Sequence, residues 1–77
     1  MRELLEALAR ELVSRPDEVS VRELDSRDGV RLELRVAPED IGRVIGRGGR
    51  TARALRTVVR AAAMQGGRRC AIDIVDT

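Results

Sequence analysis

The chain has 77 residues, and its 15 arginines and 13 acidic residues give it a net charge of +2 without a lysine, a histidine or an aromatic side chain. A chain this short makes one small domain, which we expect to span residues 1–77. The single cysteine, Cys70, excludes an internal disulfide, the lack of histidine disfavours a metal site, and the lack of aromatic rings excludes base stacking on them.

No segment approaches the roughly 20 apolar residues of a membrane span, and charges at Arg2, Glu3 and Glu6 interrupt the N-terminal apolar residues too early for a signal peptide. We therefore expect a cytoplasmic protein without membrane contact, and nothing in the sequence indicates a cofactor. Because a small domain buries only about 60% of its unfolded surface, a partner subunit is the remaining ordinary source of extra stability.

The first predicted element is an amphipathic helix. Leucine recurs with helical spacing at positions 4, 5, 8 and 12. Glu6 with Arg10 and Glu11 with Arg15 form i,i+4 pairs in the favourable order, and Pro16 ends the helix. We interpret the apolar side of this helix as a core face.

Two strands are predicted next. Valine alternates with polar residues at positions 19 and 21, and apolar residues alternate with charged ones from Val30 to Val36, on either side of a turn cluster at residues 25–29. Residues 18–37 should therefore form an antiparallel hairpin. Leu24 is out of phase, which predicts a bulge or an exposed edge at that point.

A short helix should follow at Pro38, which suits the first helical position, while Glu39 and Asp40 complement the helix N-terminus. Its apolar face consists of Ile41, Val44 and Ile45. These three residues share one helical stripe, so they can belong to the core or form the floor of a binding groove. Gly42 destabilises so short a helix unless another backbone packs closely against it.

The longest predicted helix runs from Thr51 to Gln65 and ends at a Gly-Gly pair. Its two neighbouring apolar stripes together span roughly 200°, which exceeds what one buried face needs. The first stripe, expected in the core, consists of Ala52, Leu55, Val59 and Ala62. The second stripe consists of Ala54, Val58 and Ala61. Either the N-terminal helix covers this second stripe within one subunit, or the stripe is an interface for self-association or for a related partner.

A third strand is predicted at the C-terminal end, where Cys70, Ile72 and Ile74 alternate with other residues. The predicted element order is therefore α-β-β-α-α-β. A three-stranded sheet covered on one face by three helices is the natural arrangement of these elements, so the sequence predicts an α+β fold.

A glycine-rich stretch, Ile45–Thr51, lies between the second and third helices and holds three glycines within four positions. Glycine permits positive φ and lets the backbone approach a ligand closely, and Arg47 and Arg50 indicate that this ligand is anionic. The simplest alternative is a helix C-cap and turn without a ligand. Other phosphate loops do not fit, because a Walker A loop needs glycine at Val44 and a dinucleotide fingerprint needs glycine at Thr51.

Charge is divided unevenly along the chain. Residues 1–40 carry seven arginines and eleven acids, whereas residues 41–77 carry eight arginines and two acids. No acid lies between Ile41 and Ile72. Because a solvated face normally mixes both signs, an acid-free stretch centred on a glycine loop indicates a surface for an anionic partner such as nucleic acid.

The segment Val44–Arg50, with the sequence VIGRGGR, resembles the signature of KH domains, which is V-I-G-x-x-G followed by a basic residue. The element order is similar to the type II KH arrangement. Residues 1–77 as a whole resemble the small bacterial single-KH proteins of the KhpA (YlqC) family, which implies a single type II KH domain. Further segments that carry the resemblance are Pro16–Val19, Val36–Gly42, Arg50–Ala52 and Arg56–Val59.

The resemblance implies a groove for single-stranded RNA, in which the Gly46–Gly49 loop contacts the sugar-phosphate backbone. The residues expected to bind RNA are Arg43, Ile45, Gly46, Arg47, Gly48, Gly49, Arg50 and Arg53. Gly48 departs from the family, where a second polar or basic residue is common, so it removes one contact. The family also implies a homodimer, or a heterodimer with another KH-containing protein. The expected interface is the second apolar stripe of the longest helix, Ala54, Val58 and Ala61.

Two functions remain open from the sequence. The first is a sequence-tolerant RNA-binding module that acts as an RNA chaperone or post-transcriptional regulator. The second is a protein interaction or dimerisation module that binds nucleic acid only weakly. We expect the chain not to be an enzyme, because it has no histidine and no cluster of nucleophile, base or metal ligands.

Overall fold

Three α-helices and three β-strands form the computed structural model, which describes residues 1–76. The helices are α1 (Arg2–Leu12), α2 (Ile41–Ile45) and α3 (Arg50–Gln65). The strands are β1 (Ser20–Ser26), β2 (Gly29–Val36) and β3 (Cys70–Asp76). Single turns of 3-10 helix occupy Pro16–Glu18, Pro38–Asp40 and Arg47–Gly49. The predicted α-β-β-α-α-β order and the α+β class are confirmed. Within the described part of the chain, no helix is long and apolar enough to cross a membrane.

The sheet has the strand order β1-β2-β3. Strands β1 and β2 are antiparallel, with Ser26 opposite Gly29, so the predicted hairpin is confirmed. Strands β2 and β3 are parallel, with Val30 opposite Cys70, and α2 and α3 supply the crossover that a parallel pair requires. Every residue of β1 pairs with β2, so there is no bulge at Leu24. Of the two predicted explanations for Leu24, the edge position applies, because β1 is an outermost strand of the sheet.

The helices pack on one face of the sheet. Alternate residues of β2 from Val30 to Val36 are buried there against Leu5 and Ala9 of α1 and against one stripe of α3. That stripe consists of Ala52, Leu55, Val59 and Ala63. The prediction of Ala62 as its fourth member was wrong, since Ala62 is only half-buried. At 3.6 residues per turn, position 63 returns to within about 20° of Ala52, whereas position 62 lies about 80° away.

Helix α1 ends at Leu12, four residues before the proline that was expected to end it. The predicted pair of Glu6 with Arg10 forms, at 3.5 Å. The predicted pair of Glu11 with Arg15 does not form, because Arg15 lies beyond the helix and reaches Glu18 and Glu39 at 3.7 Å instead.

Asp40 is the one buried charged side chain of the described residues, and it joins the end of α1 to the start of α2. Its carboxylate accepts hydrogen bonds from Ser14 N (3.0 Å), Ser14 Oγ (2.7 Å) and Arg15 N (3.1 Å), and Arg43 Nε lies 3.3 Å away. Burial raises the pKa of this carboxyl, but the three hydrogen bonds and the Arg43 charge outweigh it, so the pKa lies below its ordinary value. Asp40 thus lies at the N-terminus of α2, as expected, but its carboxylate bonds to Ser14 and Arg15 and makes no hydrogen-bonded helix cap.

Candidate nucleic-acid interface

The glycine loop begins where Gly46 ends α2. The Gly46 N–H donates to Gly42 O at 2.9 Å, and the Gly49 N–H donates to Gly46 O at 3.1 Å, which closes the loop into one turn. Gly46 has φ 76° and ψ 170°, and a side chain there would collide with Thr51 at the start of α3. Gly46 is therefore required both by its backbone conformation and by close packing against α3.

Gly48 and Gly49 are required by their backbone conformation alone. Both are left-handed, with φ 63° and 78°, and a Cβ added to either would meet nothing within 4 Å. A side chain in this conformation costs about 1–2 kcal/mol. The outer surface of the loop is consequently bare backbone, with open space in front of it that a ligand can enter.

Four arginines surround this bare backbone, and all four are exposed. Arg43 is held by Asp40, with Nε 3.3 Å from the carboxylate. Arg47, Arg50 and Arg53 have no acidic partner at ion-pair distance within residues 1–75. Three guanidinium groups around the loop are thus available to an anion without first breaking an ion pair.

The apolar face of α2 divides between the core and the surface. Val44 is fully buried, and Ile41 packs against the core cluster, so these two residues hold α2 in place. Ile45 is only half-buried beside the loop and can present an aliphatic surface to a ligand. Among the described residues, no backbone packs closely against Gly42 to offset its cost in so short a helix, because a Cβ there would meet nothing within 4 Å.

The row of arginines continues along α3, beyond the residues singled out from the sequence. Arg56 Nε donates to Ile72 O at 3.4 Å, and Arg60 Nε donates to Cys70 O at 3.3 Å. These carbonyls belong to β3, which is an outermost strand of the sheet. The sequence signal was present, because Arg53, Arg56 and Arg60 share one side of α3, but only the structure reveals that two of them line a strand.

A family model describing the KH domain of KhpA and KhpB matches residues 2–74 of this chain. The chain belongs to the KhpA/KhpB KH-domain family. It is 49% identical over 75 residues to the RNA-binding protein KhpA of Clostridium acetobutylicum, covering 97% of this chain and 100% of that protein. It is 53% identical over 76 residues to the KhpA of Streptomyces coelicolor (99% and 92% covered) and 50% identical over 76 residues to that of Halalkalibacterium halodurans (99% and 100% covered).

This member of the KhpA/KhpB family also has an apolar groove between α1 and α3. The groove has a volume of about 280 Å³ and is lined mainly by Leu8, Leu12, Ala54, Leu55 and Val58. Although α1 lies beside the second apolar stripe of α3, all three stripe residues are exposed, and Val58 is 48% exposed. The interpretation in which α1 covers this stripe within one subunit was therefore wrong.

Proposed function

We propose that this chain binds single-stranded RNA and holds the sugar-phosphate backbone with the Gly46–Gly49 loop. The observation that carries the proposal is the bare, left-handed backbone at Gly48 and Gly49, beside three arginines that have no acidic partner among the described side chains. The relatives described above are named RNA-binding proteins and match nearly the whole chain, which supports RNA as the anionic ligand.

The chemistry of the loop suits a phosphate group. The first N–H groups of α3 have no partner within the helix, and the positive end of the helix dipole favours an anion there. Arg47, Arg50 and Arg53 add charge-assisted hydrogen bonds to phosphate oxygens. We assign Ile45 an apolar contact with the sugar or base next to the gripped phosphate, and Arg43 a flanking charge.

The test is the double substitution of Arg47 and Gly48 by Asp. Both positions are exposed, and aspartate is one of the few residues besides glycine that adopt the left-handed conformation of Gly48, so the helices should stay folded by circular dichroism. Binding to a labelled single-stranded RNA should be lost, because two carboxylates would face the phosphates. The matched control replaces Ser20 and Arg22 by Asp, which makes the same charge change at exposed positions of β1. Equal affinity of the folded loop variant and the control would contradict the proposal.

The second part of the proposal concerns a protein partner. We propose that the exposed stripe Ala54, Val58 and Ala61 mediates a homodimer, or a heterodimer with another KH-containing protein. The support is the apolar groove beside it, because an apolar groove next to small exposed residues lets another helix approach closely. Under two-fold symmetry the same stripe would face its copy.

The role in the cell is a further prediction. We propose RNA chaperone or post-transcriptional regulator activity without catalysis, in a single KH domain located in the cytoplasm. The relatives are named for RNA binding and not for a reaction, which supports this assignment. RNA crosslinking in cells tests it: a protein that serves only as an interaction module would crosslink no more than the Arg47/Gly48 double variant does.

A further inference from the structure

The turn between α3 and β3 is hydrogen-bonded to the last turn of α3. Gly67 N–H donates to Met64 O at 2.9 Å and Arg68 N–H donates to Ala63 O at 3.0 Å, and Gly67 has φ 75°. This is the pattern of a Schellman motif, in which a left-handed residue ends the helix. The backbone that carries Arg69 into β3 is therefore held in one orientation relative to α3.

An open pocket of about 310 Å³ lies beside this turn and is lined by Arg60, Met64, Arg69 and Cys70. Met64 is 73% exposed, the most exposed large apolar side chain among the described residues. The Arg60 Nε–H is bonded to Cys70 O at 3.3 Å, which fixes the guanidinium plane and leaves its terminal N–H groups free. Burial raises the pKa of the Cys70 thiol, so this wall of the pocket stays neutral.

The charges in the pocket lack partners. Neither Arg60 nor Arg69 has an acid at ion-pair distance within the portion of the chain whose side chains are described, residues 1–75, whereas Arg68 next to them is paired with Asp25 at 2.9 Å. The pocket therefore combines one large exposed thioether with two guanidinium groups that have no acidic partner among the described side chains. Its chemistry fits a ligand that is flat, polarisable and carried by an anionic chain.

We propose that this pocket holds an unstacked base of the same RNA strand that the glycine loop grips. The inference rests on the proposed RNA binding and adds a second contact to it. Guanidinium planes can stack on bases as aromatic rings do, and this chain has no aromatic ring for that task. Arg50, Arg53, Arg60 and Met64 lie on one side of α3, and the helix places Met64 about 21 Å from Arg50, beyond the reach of a very short oligonucleotide.

The experiment compares binding of a four-nucleotide and a ten-nucleotide single-stranded RNA to the full chain. Arg60→Ala and Met64→Ser should each lower the affinity for the ten-nucleotide RNA about tenfold, which is the effect of losing one base contact. Neither substitution should change the affinity for the four-nucleotide RNA. A series of ten-nucleotide RNAs, each with one abasic nucleotide at a different position, should contain one RNA that the wild type binds more weakly than the intact RNA. Met64→Ser should bind that RNA and the intact RNA equally well. Arg22→Ala is the matched control and should change neither affinity, because it removes an exposed arginine of β1 that also has no acidic partner among the described side chains.

Arg60→Lys separates a base contact from a phosphate contact, because lysine keeps the charge and loses the plane. The proposal expects Arg60→Lys to bind as weakly as Arg60→Ala, and full affinity in Arg60→Lys would overturn the base pocket in favour of a phosphate contact. Wild-type affinity in both Arg60→Ala and Met64→Ser would overturn the inference while the loop still binds the short RNA. Failure of the wild type to bind either RNA would overturn the proposed function as well.

Discussion

Gly46, Gly48 and Gly49 all have positive φ, but only Gly46 is enclosed, by Thr51. The sequence pattern predicted a loop that needs glycine. It could not tell whether each glycine is needed for its positive φ or for the lack of space for a side chain. Gly42 is the opposite case, since it is helical and nothing lies within 4 Å of where its Cβ would be. No contact within the described part of the subunit therefore requires glycine at position 42.

We expect Gly42→Ala to stabilise the fold and weaken RNA binding. Alanine fits the helical φ and should raise the free energy of unfolding by about 0.4–1 kcal/mol. Gly42 lies one turn before Gly46 on the same helix face. The methyl group that Gly42→Ala adds would therefore lie in the space that the proposed RNA backbone needs to reach the loop. Thermal unfolding and RNA titration measure the two effects.

The control for this change is Gly66→Ala at the far end of α3. Gly66 also has negative φ, at −89°, and its added Cβ would lie 3.5 Å from Ala63 O, which is an ordinary contact. RNA affinity should not change in this control. A more stable Gly42→Ala protein with unaltered RNA affinity would contradict the assignment of position 42 to the RNA surface.

Asp40 makes the free energy of unfolding depend on pH in the acidic range. Because its pKa is lower in the folded state than its ordinary value of 3.8, the carboxylate stabilises the fold above that pH, and this contribution is lost as the pH falls through the folded pKa. We expect Asp40→Asn to be less stable than the wild type at pH 7, with the difference narrowing below about pH 4. Denaturant unfolding across a pH series measures this.

The control is Asp73→Asn, which removes a partly exposed carboxylate paired with Arg31 at 2.8 Å. An ion pair in solvent contributes little, so this variant should stay close to the wild type at pH 7. If Asp40→Asn and Asp73→Asn were equally stable at pH 7, the link that Asp40 makes between Ser14 and α2 would have no energetic role.

The elements that were predicted correctly are those with long, regular patterns. The alternation from Val30 to Val36 predicted β2, and the sixteen residues of α3 were predicted to within one residue. Most errors lie where a pattern is short or depends on tertiary contacts; the exception is Ala62 in α3, where the helical angle instead favours Ala63 as the core residue. The end of α1 is set by hydrogen bonds from Ser14 and Arg15 to Asp40, which lies 26 and 25 residues away, respectively, and no local pattern contains such contacts.

The arginines of the loop and α3 predict a salt-dependent affinity. Each neutralised phosphate on a single strand contributes roughly −0.7 to the slope of log affinity against log salt, so contacts from Arg47, Arg50 and Arg53 give a slope of about −2. Arg53→Gln should make the slope shallower by about 0.7. Fluorescence titration at several salt concentrations measures it, with Arg31→Gln as the control because Arg31 is paired with Asp73. A slope that Arg53→Gln leaves unchanged would exclude this arginine from the contact surface.

The ion pairs of the structure follow the division of charge between residues 1–40 and residues 41–77 that the sequence shows, and they also identify which arginines lack an acidic partner. Most arginines before residue 41 have acidic partners, with Arg22 and Arg27 as the exceptions among the described side chains. After residue 41, the arginines with an acidic partner among the side chains of residues 1–75 are Arg43 and Arg68. The remaining ones follow α3 from the glycine loop to the start of β3. The sequence identifies the basic half of the chain, but it does not show which of its arginines have acidic partners, because ion pairing depends on which residues the sheet and helices bring together.

The last prediction concerns assembly through the second stripe of α3. Val58 is 48% exposed, so Val58→Asp buries no charge within one subunit, and the variant should remain folded. If the stripe faces its copy across a two-fold axis, the substitution places two carboxylates in one interface, and the dimer should dissociate. Sedimentation measures the mass, and circular dichroism checks the fold.

Ala71→Asp is the matched control for this substitution, because it adds the same charge at an exposed position on the uncovered face of the sheet. It should leave the mass of the wild-type dimer unchanged. A folded Val58→Asp protein with the mass of a wild-type dimer would exclude the stripe as the interface. A wild type that sediments as a monomer would contradict self-association, and mixing it with another KH-containing protein would then test the heterodimer, which Val58→Asp should also prevent.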